Sequence, residues 1–179
     1  MRVRPSWKPS PGCAPPTFPG SFTGVAGRRD LIKMTDEEAL AFLDEQRTVI
    51  CATNGHDGFP HLMPLWYVVR GGTLWAWTYA KSQKVRNLER DPRASLQIET
   101  GETYDQLRGL LLRTEAVLHR DAETVEGFVA ELAPRYAPPG ADPEELRKGF
   151  LSQVPKRVAI EFSERGRVSW DHRKLGATY

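Results

Sequence analysis

Clusters of turn-forming residues cut the middle of this chain into short runs, and that punctuation constrains the fold more than any other feature. Asn54-Gly55-His56-Asp57-Gly58 parts residues 47–53 from residues 59–70, and Gly71-Gly72 parts those from a run that opens Leu74-Trp75-Ala76-Trp77. Glycine and asparagine supply the backbone conformations that tight hairpins need. The runs between them are rich in β-branched and aromatic side chains, which suit a pleated strand. Residues 93–100 alternate, with Ala94, Leu96 and Ile98 on one side. Residues 107–119, apolar at Leu110, Leu111 and Leu112, read as a long fifth strand, and residues 157–162 close the set through Val158, Ile160 and Phe162.

Helices flank these strands. Thr35-Asp36-Glu37-Glu38 is a capping box, in which Thr35 caps the helix and Glu38 reaches back. Ala39, Leu40, Phe42 and Leu43 give that helix its apolar face, and it should stop near Gln46. Residues 121–136 place Val125, Phe128, Val129 and Leu132 on one side, and Pro138-Pro139-Gly140 ends the helix. A shorter helix over 143–152 packs through Leu146, Phe150 and Leu151. Residues 1–33, rich in Pro, Gly and Ser, bury too little apolar surface to offset their ordering entropy. The expectation is a disordered tail over 1–33 and one domain over 34–179.

The stretch from Thr78 to Leu96 joins the third strand to a helix and then to the fourth strand. Ser82 suits an N-cap, Val85 and Leu88 form one apolar stripe, and Asp91-Pro92 ends the helix. The N–H groups of its first turn, with Lys81 and Lys84 beside them, suit a phosphate. The competing reading is two lysines on a solvated helix.

T-x-x-x-S-x-K, then Leu88, then D-P-x-A-S-L, resembles the cofactor-phosphate segment of the pyridoxamine phosphate oxidase family. W-x-x-x-K-L, from Trp170 to Leu175, resembles that family's C-terminal ending, and SWDHRKLG resembles that of its deazaflavin subgroup. The resemblance spans residues 34–179. It implies a mainly β (α+β) fold, a six- to seven-stranded antiparallel split β-barrel with flanking helices. It also implies a flavin or the deazaflavin coenzyme F-420 as cofactor. On that resemblance Lys84 holds the phosphate, together with Thr78 and Ser82. Gln83 stands where the flavin enzymes have an arginine, with Lys81 as a substitute cation. The backbone of Met63, Pro64, Leu65 and Trp66 would run beneath the cofactor ring, and His61 and Trp66 would border the substrate. Tyr104 and Arg108 are further candidates to reach the cofactor, their alternative being a loop aromatic and a strand-end charge. Trp170 and Lys174 would reach the cofactor of the other protomer of a homodimer.

The two basic positions with which the flavin enzymes grip flavin mononucleotide (FMN) on the second strand fall at Met63 and Val68. With Gln83 also uncharged, the resemblance points to F-420, whose longer anionic tail suits dispersed cations such as Lys81, Lys84, Arg86 and the partner's His172, Arg173 and Lys174. The implied activity is hydride transfer from reduced F-420 to a small planar conjugated acceptor, with Trp66, Trp75 and Trp77 excluding water. An FMN enzyme and a non-catalytic cofactor-binding barrel are the alternatives. His61 is the one candidate for moving a proton. Nucleic acid is a poor partner, because residues 34–179 are slightly acidic overall; the six basic residues and one acid of residues 1–33 offset them. No apolar run approaches the roughly 20 residues of a membrane helix. Two cysteines, Cys13 and Cys51, make no disulfide framework, which fits a cytoplasmic setting.

Overall fold

A computed structural model describes residues 27–176. Six antiparallel strands form a closed barrel in the order β1-β2-β3-β6-β5-β4. They are β1 (Thr48–Asn54), β2 (Pro60–Arg70), β3 (Thr73–Tyr79), β4 (Arg93–Thr100), β5 (Arg108–His119) and β6 (Arg157–Asp171). The helices are α1 (Arg28–Leu31), α2 (Asp36–Glu45), α3 (Gln83–Arg90), α4 (Ala122–Arg135) and α5 (Pro143–Leu151).

The hairpins fall where the turn residues demand them. Gly71 and Gly72 take φ of 57° and 81°, values that side chains strongly disfavour, and so reverse the chain between β2 and β3. Thr35 and Glu38 complete their capping box at α2, whose C-cap is Gln46. Asp121 caps α4 by accepting from the Thr124 N–H, and Asp142 caps α5 by accepting from those of Glu144 and Glu145.

Two apolar layers result. Val49, Cys51, Leu74, Ala76, Leu96, Ile98, Leu110 and Ile160 fill the barrel, which Phe42 and Leu43 of α2 and Val85 and Leu88 of α3 cover. Val68, Trp75, Trp77 and Ala159 point to the opposite face and pack against Val125, Phe128, Val129 and Leu132 of α4. Burying a side chain such as Phe128, which has no exposed surface, contributes roughly 1.5–3 kcal/mol.

Two expectations change. The closing strand does not end at Phe162; β6 continues to Asp171 and pairs with β5 from Ala159 to Asp171. Its second half contains Glu164-Arg165-Gly166, which resembles a turn in sequence, yet a register shift at Arg113/Thr114 absorbs the irregularity. Trp170 therefore belongs to a barrel strand, and His172–Leu175 forms a single 3-10 turn after it. The described residues also begin before Met34. The carbonyl of Ile32 accepts from the Asp171 N–H at 2.7 Å, and the Met34 N–H donates to Ser169 Oγ at 3.0 Å. The tail expected over residues 1–33 otherwise falls, for residues 1–26, outside the described part.

A candidate cofactor cleft at the split of the barrel

β2 and β3 pair only from Tyr67↔Ala76 to Arg70↔Thr73. Residues 60–66 of β2 are paired on the β1 side alone, and residues 77–79 of β3 on the β6 side alone. Pro60 and Pro64 lie in this one-sided half of β2, where strand prolines are tolerated. The parted strands leave a cleft of about 320 Å³, lined by Pro64, Leu65, Trp66, Trp77, Thr78, Lys84, Phe150 and Arg157. Trp66 is held in place by stacking on Tyr136, with ring centroids 4.5 Å apart and planes 13° apart. The Tyr136 hydroxyl accepts from the Tyr67 N–H at 2.8 Å and has one proton to donate, to the Arg47 carbonyl at 2.6 Å or the Tyr67 carbonyl at 2.9 Å.

Lys84 is the centre of the cleft. It lies on the first turn of α3 with 7% of its surface exposed, and its ammonium donates to Thr78 Oγ1 at 3.0 Å. Burial holds its pKa below the usual 10.5, and the neighbouring Arg157 adds to that shift. The Cys51 thiol, pushed up to about 12 by burial, is neutral and offers no counter-charge. Ser82 stands at the N-cap of α3 but does not cap it with its side chain. Its hydroxyl lies 3.5 Å from Thr78 Oγ1, from which it accepts, and the first turn of α3 carries no side-chain cap. A buried cation in a small space, on the uncapped first turn of a helix, is a combination that fits an anion such as a phosphate.

Arg157, which no motif singled out, completes the cleft. It pairs with Tyr79 across the β3–β6 ladder, and its guanidinium stacks 3.6 Å from the Tyr79 ring centroid and 4.6 Å from that of Trp77. Its Nε is buried without a hydrogen-bond partner, and burial lowers its pKa. Among the described residues neither Lys84 nor Arg157 forms an ion pair.

The other expected site residues are distributed. Pro64, Leu65, Trp66, Thr78 and Lys84 meet in the cleft. Met63 is exposed on the inward-facing register of β2, opposite Cys51. His61 and Gln83 line a neighbouring depression with Asn87. There the Gln83 amide donates to Asn87 Oδ1 at 2.9 Å, and Asn87 donates to Thr53 Oγ1 at 3.0 Å. Gln83 therefore braces α3 against β1, through a buried asparagine that the sequence did not single out. Lys81 is exposed and lines neither space.

The C-terminal candidates are engaged elsewhere in the protomer. The Trp170 ring lies on Gly109, where an added Cβ would stand 2.1 Å from it. Lys174 donates to the Lys33 carbonyl at 2.8 Å and to Glu38 at 2.5 Å. Arg108 pairs with Glu45 through both terminal nitrogens, and Tyr104 packs edge-on against His172.

A six-stranded barrel that parts beside a strand-to-helix junction carrying a buried lysine has the architecture of a split β-barrel. Residues 35–162 match the pyridoxamine 5'-phosphate oxidase family, and the chain belongs to it. The chain is 39% identical to the conserved hypothetical protein Rv2991 from Mycobacterium tuberculosis, with a TM-score of 0.77 over 86% of this chain and 95% of that one. An F-420 reductase shares the fold at 22% identity and a TM-score of 0.56, over 71% of this chain and 93% of its own. HutZ, the haem storage protein from Vibrio cholerae, shares it at 21% identity and 0.59, over 74% and 93%. No curated protein matches the chain. No helix among the described residues is long and apolar enough to cross a membrane.

Proposed function

We propose that the protein is an oxidoreductase that binds coenzyme F-420 in the cleft between β2 and β3 and reduces a small planar conjugated acceptor. The observation that carries this reading is Lys84, a buried ammonium without a carboxylate, beside the uncapped first turn of α3. Bound there, a reduced deazaflavin supplies a hydride. The chain positions and shields it. Lys84 and Thr78 hold the phosphate, the unpaired edge of β2 from Met63 to Trp66 offers backbone groups to the ring, and Trp66 and Trp77 keep water out. The proton that completes the reduction comes from solvent or from His61, which lies in the adjoining depression.

One observation favours FMN instead. Arg157 places a second cation in the cleft, matching the roughly two negative charges of a phosphate monoester. The visible absorbance of the purified protein separates flavin, deazaflavin and an empty barrel, the last fitting a non-catalytic binder. Oxidation of reduced F-420 in the presence of enones or quinones then tests turnover. Absence of both F-420 binding and turnover would end the reading.

The same reading makes the protein a cytoplasmic homodimer. Pro64, Ile50, Gln97, Leu111 and Val168 stand in one register row across the outer face of β2, β1, β4, β5 and β6. Ile50, Leu62, Trp66 and Val168 are 38–56% exposed there, an apolar stretch that a second copy would cover. Pro64 and Trp66 belong to both that face and the cleft, so the partner would border the cofactor. Light scattering after size exclusion checks the mass.

A further inference from the structure

Arg157 borders a second space. On its far side an open recess of about 310 Å³ lies between α5 and β3, walled by Trp77, Leu146, Gly149 and Phe150. Gln153 and Glu145 stand at its margin, and Glu145 is already bonded to Lys148 at 3.0 Å. Trp77, Phe150 and Arg157 line both spaces, so the recess continues the cofactor cleft.

Charge counting separates the two. The phosphodiester of F-420 carries one negative charge, which Lys84 neutralises at the start of α3. Arg157 is then left half-buried between the two spaces, stacked on Tyr79 and Trp77, with no carboxylate paired to it among the described residues. A guanidinium without a counter-ion in a partly desolvated place is stabilised by an anion from outside. The surfaces beyond it are aromatic and aliphatic, which suits a flat apolar body.

We propose that this recess is the acceptor chamber and that it takes a planar conjugated carboxylic acid, the ring or chain against Trp77 and Phe150 and the carboxylate on Arg157. The proposal rests on the cofactor assignment above and deepens it by naming the class of acceptor.

The test uses the full chain, with cofactor affinity and acceptor affinity measured separately. The probes are cinnamate and cinnamamide, alike in shape and different in charge, titrated by calorimetry into protein saturated with F-420. Wild-type protein is expected to bind cinnamate at least about tenfold more tightly than the amide, as for a charged hydrogen bond. Arg157→Gln should remove that preference, and Arg157→Lys should restore part of it. Gly149→Leu fills the recess at a position where an added Cβ meets nothing within 4 Å, and it should abolish binding of both probes. In both Arg157→Gln and Gly149→Leu, the cofactor Kd should move far less than in Lys84→Ala. Equal binding of acid and amide by wild type, or undiminished binding by Gly149→Leu, would overturn the proposal. So would a loss of cofactor affinity in Arg157→Gln equal to that of Lys84→Ala, because Arg157 would then belong to the cofactor phosphate. Wild-type protein that takes up no F-420 overturns the cofactor assignment instead, and the same titration without cofactor then decides the recess alone.

Discussion

Two groups of basic side chains in this barrel differ in what faces them. Around the C-terminal turn, Arg108 meets Glu45, Arg173 meets Asp171, and Lys174 meets Glu38. At the split, Lys84 and Arg157 share a cleft, and among the described residues neither forms an ion pair with an acid. The first group ties α2 and the end of β6 together. The second group costs the fold stability, since a desolvated cation without a counter-charge is unfavourable. A protein keeps such a pair where something outside the chain supplies the missing charge. Basic residues alone therefore say little about where an anion binds, and the absence of a carboxylate says much more.

The sharpest way to break this comparison is to disrupt the sealed end and leave the cleft alone. Gly109 sits under the Trp170 ring, and the carbonyl of Ile98 lies 2.9 Å from where its Cβ would be. Gly109→Val should cost about 3 kcal/mol, the upper end of overpacking, read from the urea unfolding midpoint. Trp170→Ala in the same chain should return part of that loss. The next largest effect falls at the cleft. Lys84→Ala should weaken F-420 binding tens-fold, from loss of about 1.5–3 kcal/mol of charged hydrogen bond, measured by fluorescence titration. Lys84→Met should also raise the melting temperature of the cofactor-free protein, because it removes a buried charge and keeps the volume. A residue that only served the fold would do the reverse.

How much of this was legible beforehand follows the same division. The hairpins were, because Gly71-Gly72 and Asn54-Gly55 act locally and few other conformations suit them. The place of Lys84 at the strand-to-helix junction was, because it follows a strand by a fixed spacing within one segment. Arg157 was not, since its partners Trp77 and Tyr79 are distant in sequence and meet it only through the β3–β6 register. The far half of β6 was hidden by Glu164-Arg165-Gly166, whose local preference is overridden by pairing with β5. Ser82 illustrates a different failure. Its residue type suits a cap, but its side chain accepts no bond from the first turn and the helix start stays open.

The two regions should also answer to opposite ends of the pH scale. Asp171 is buried, and hydrogen bonds from Arg173 hold its carboxyl below the usual 3.8. Its contribution is present in full above 3.8 and is lost as pH falls through the lower folded value, so unfolding midpoints should drop in that acid window. Asp171→Asn should flatten the drop. Lys84 titrates the other way. Its folded pKa lies below 10.5, so the ammonium discharges earlier than an exposed lysine as pH rises. Cofactor affinity should therefore begin to fall on the alkaline side before 10.5, while the cofactor-free fold gains stability over the same range. A cofactor Kd flat to 10.5 would detach Lys84 from the phosphate.

The smallest expected effect is the most discriminating. Lys174 occupies a place that family resemblance assigns to a partner's cofactor, yet here its ammonium is spent on Glu38 and the Lys33 carbonyl. Both members of that pair are substantially exposed, so the bond is screened by solvent and its removal should scarcely move the melting temperature. Lys174→Ala should leave the cofactor Kd at the wild-type value, beside the tens-fold loss in Lys84→Ala. A loss of comparable size in Lys174→Ala, recovered when its protomers are mixed with Lys84→Ala protomers, would mean that the turn leaves Glu38 and closes over the neighbouring subunit. The distinction between a paired, structural end and an unpaired, ligand-seeking end would then hold only for the single protomer.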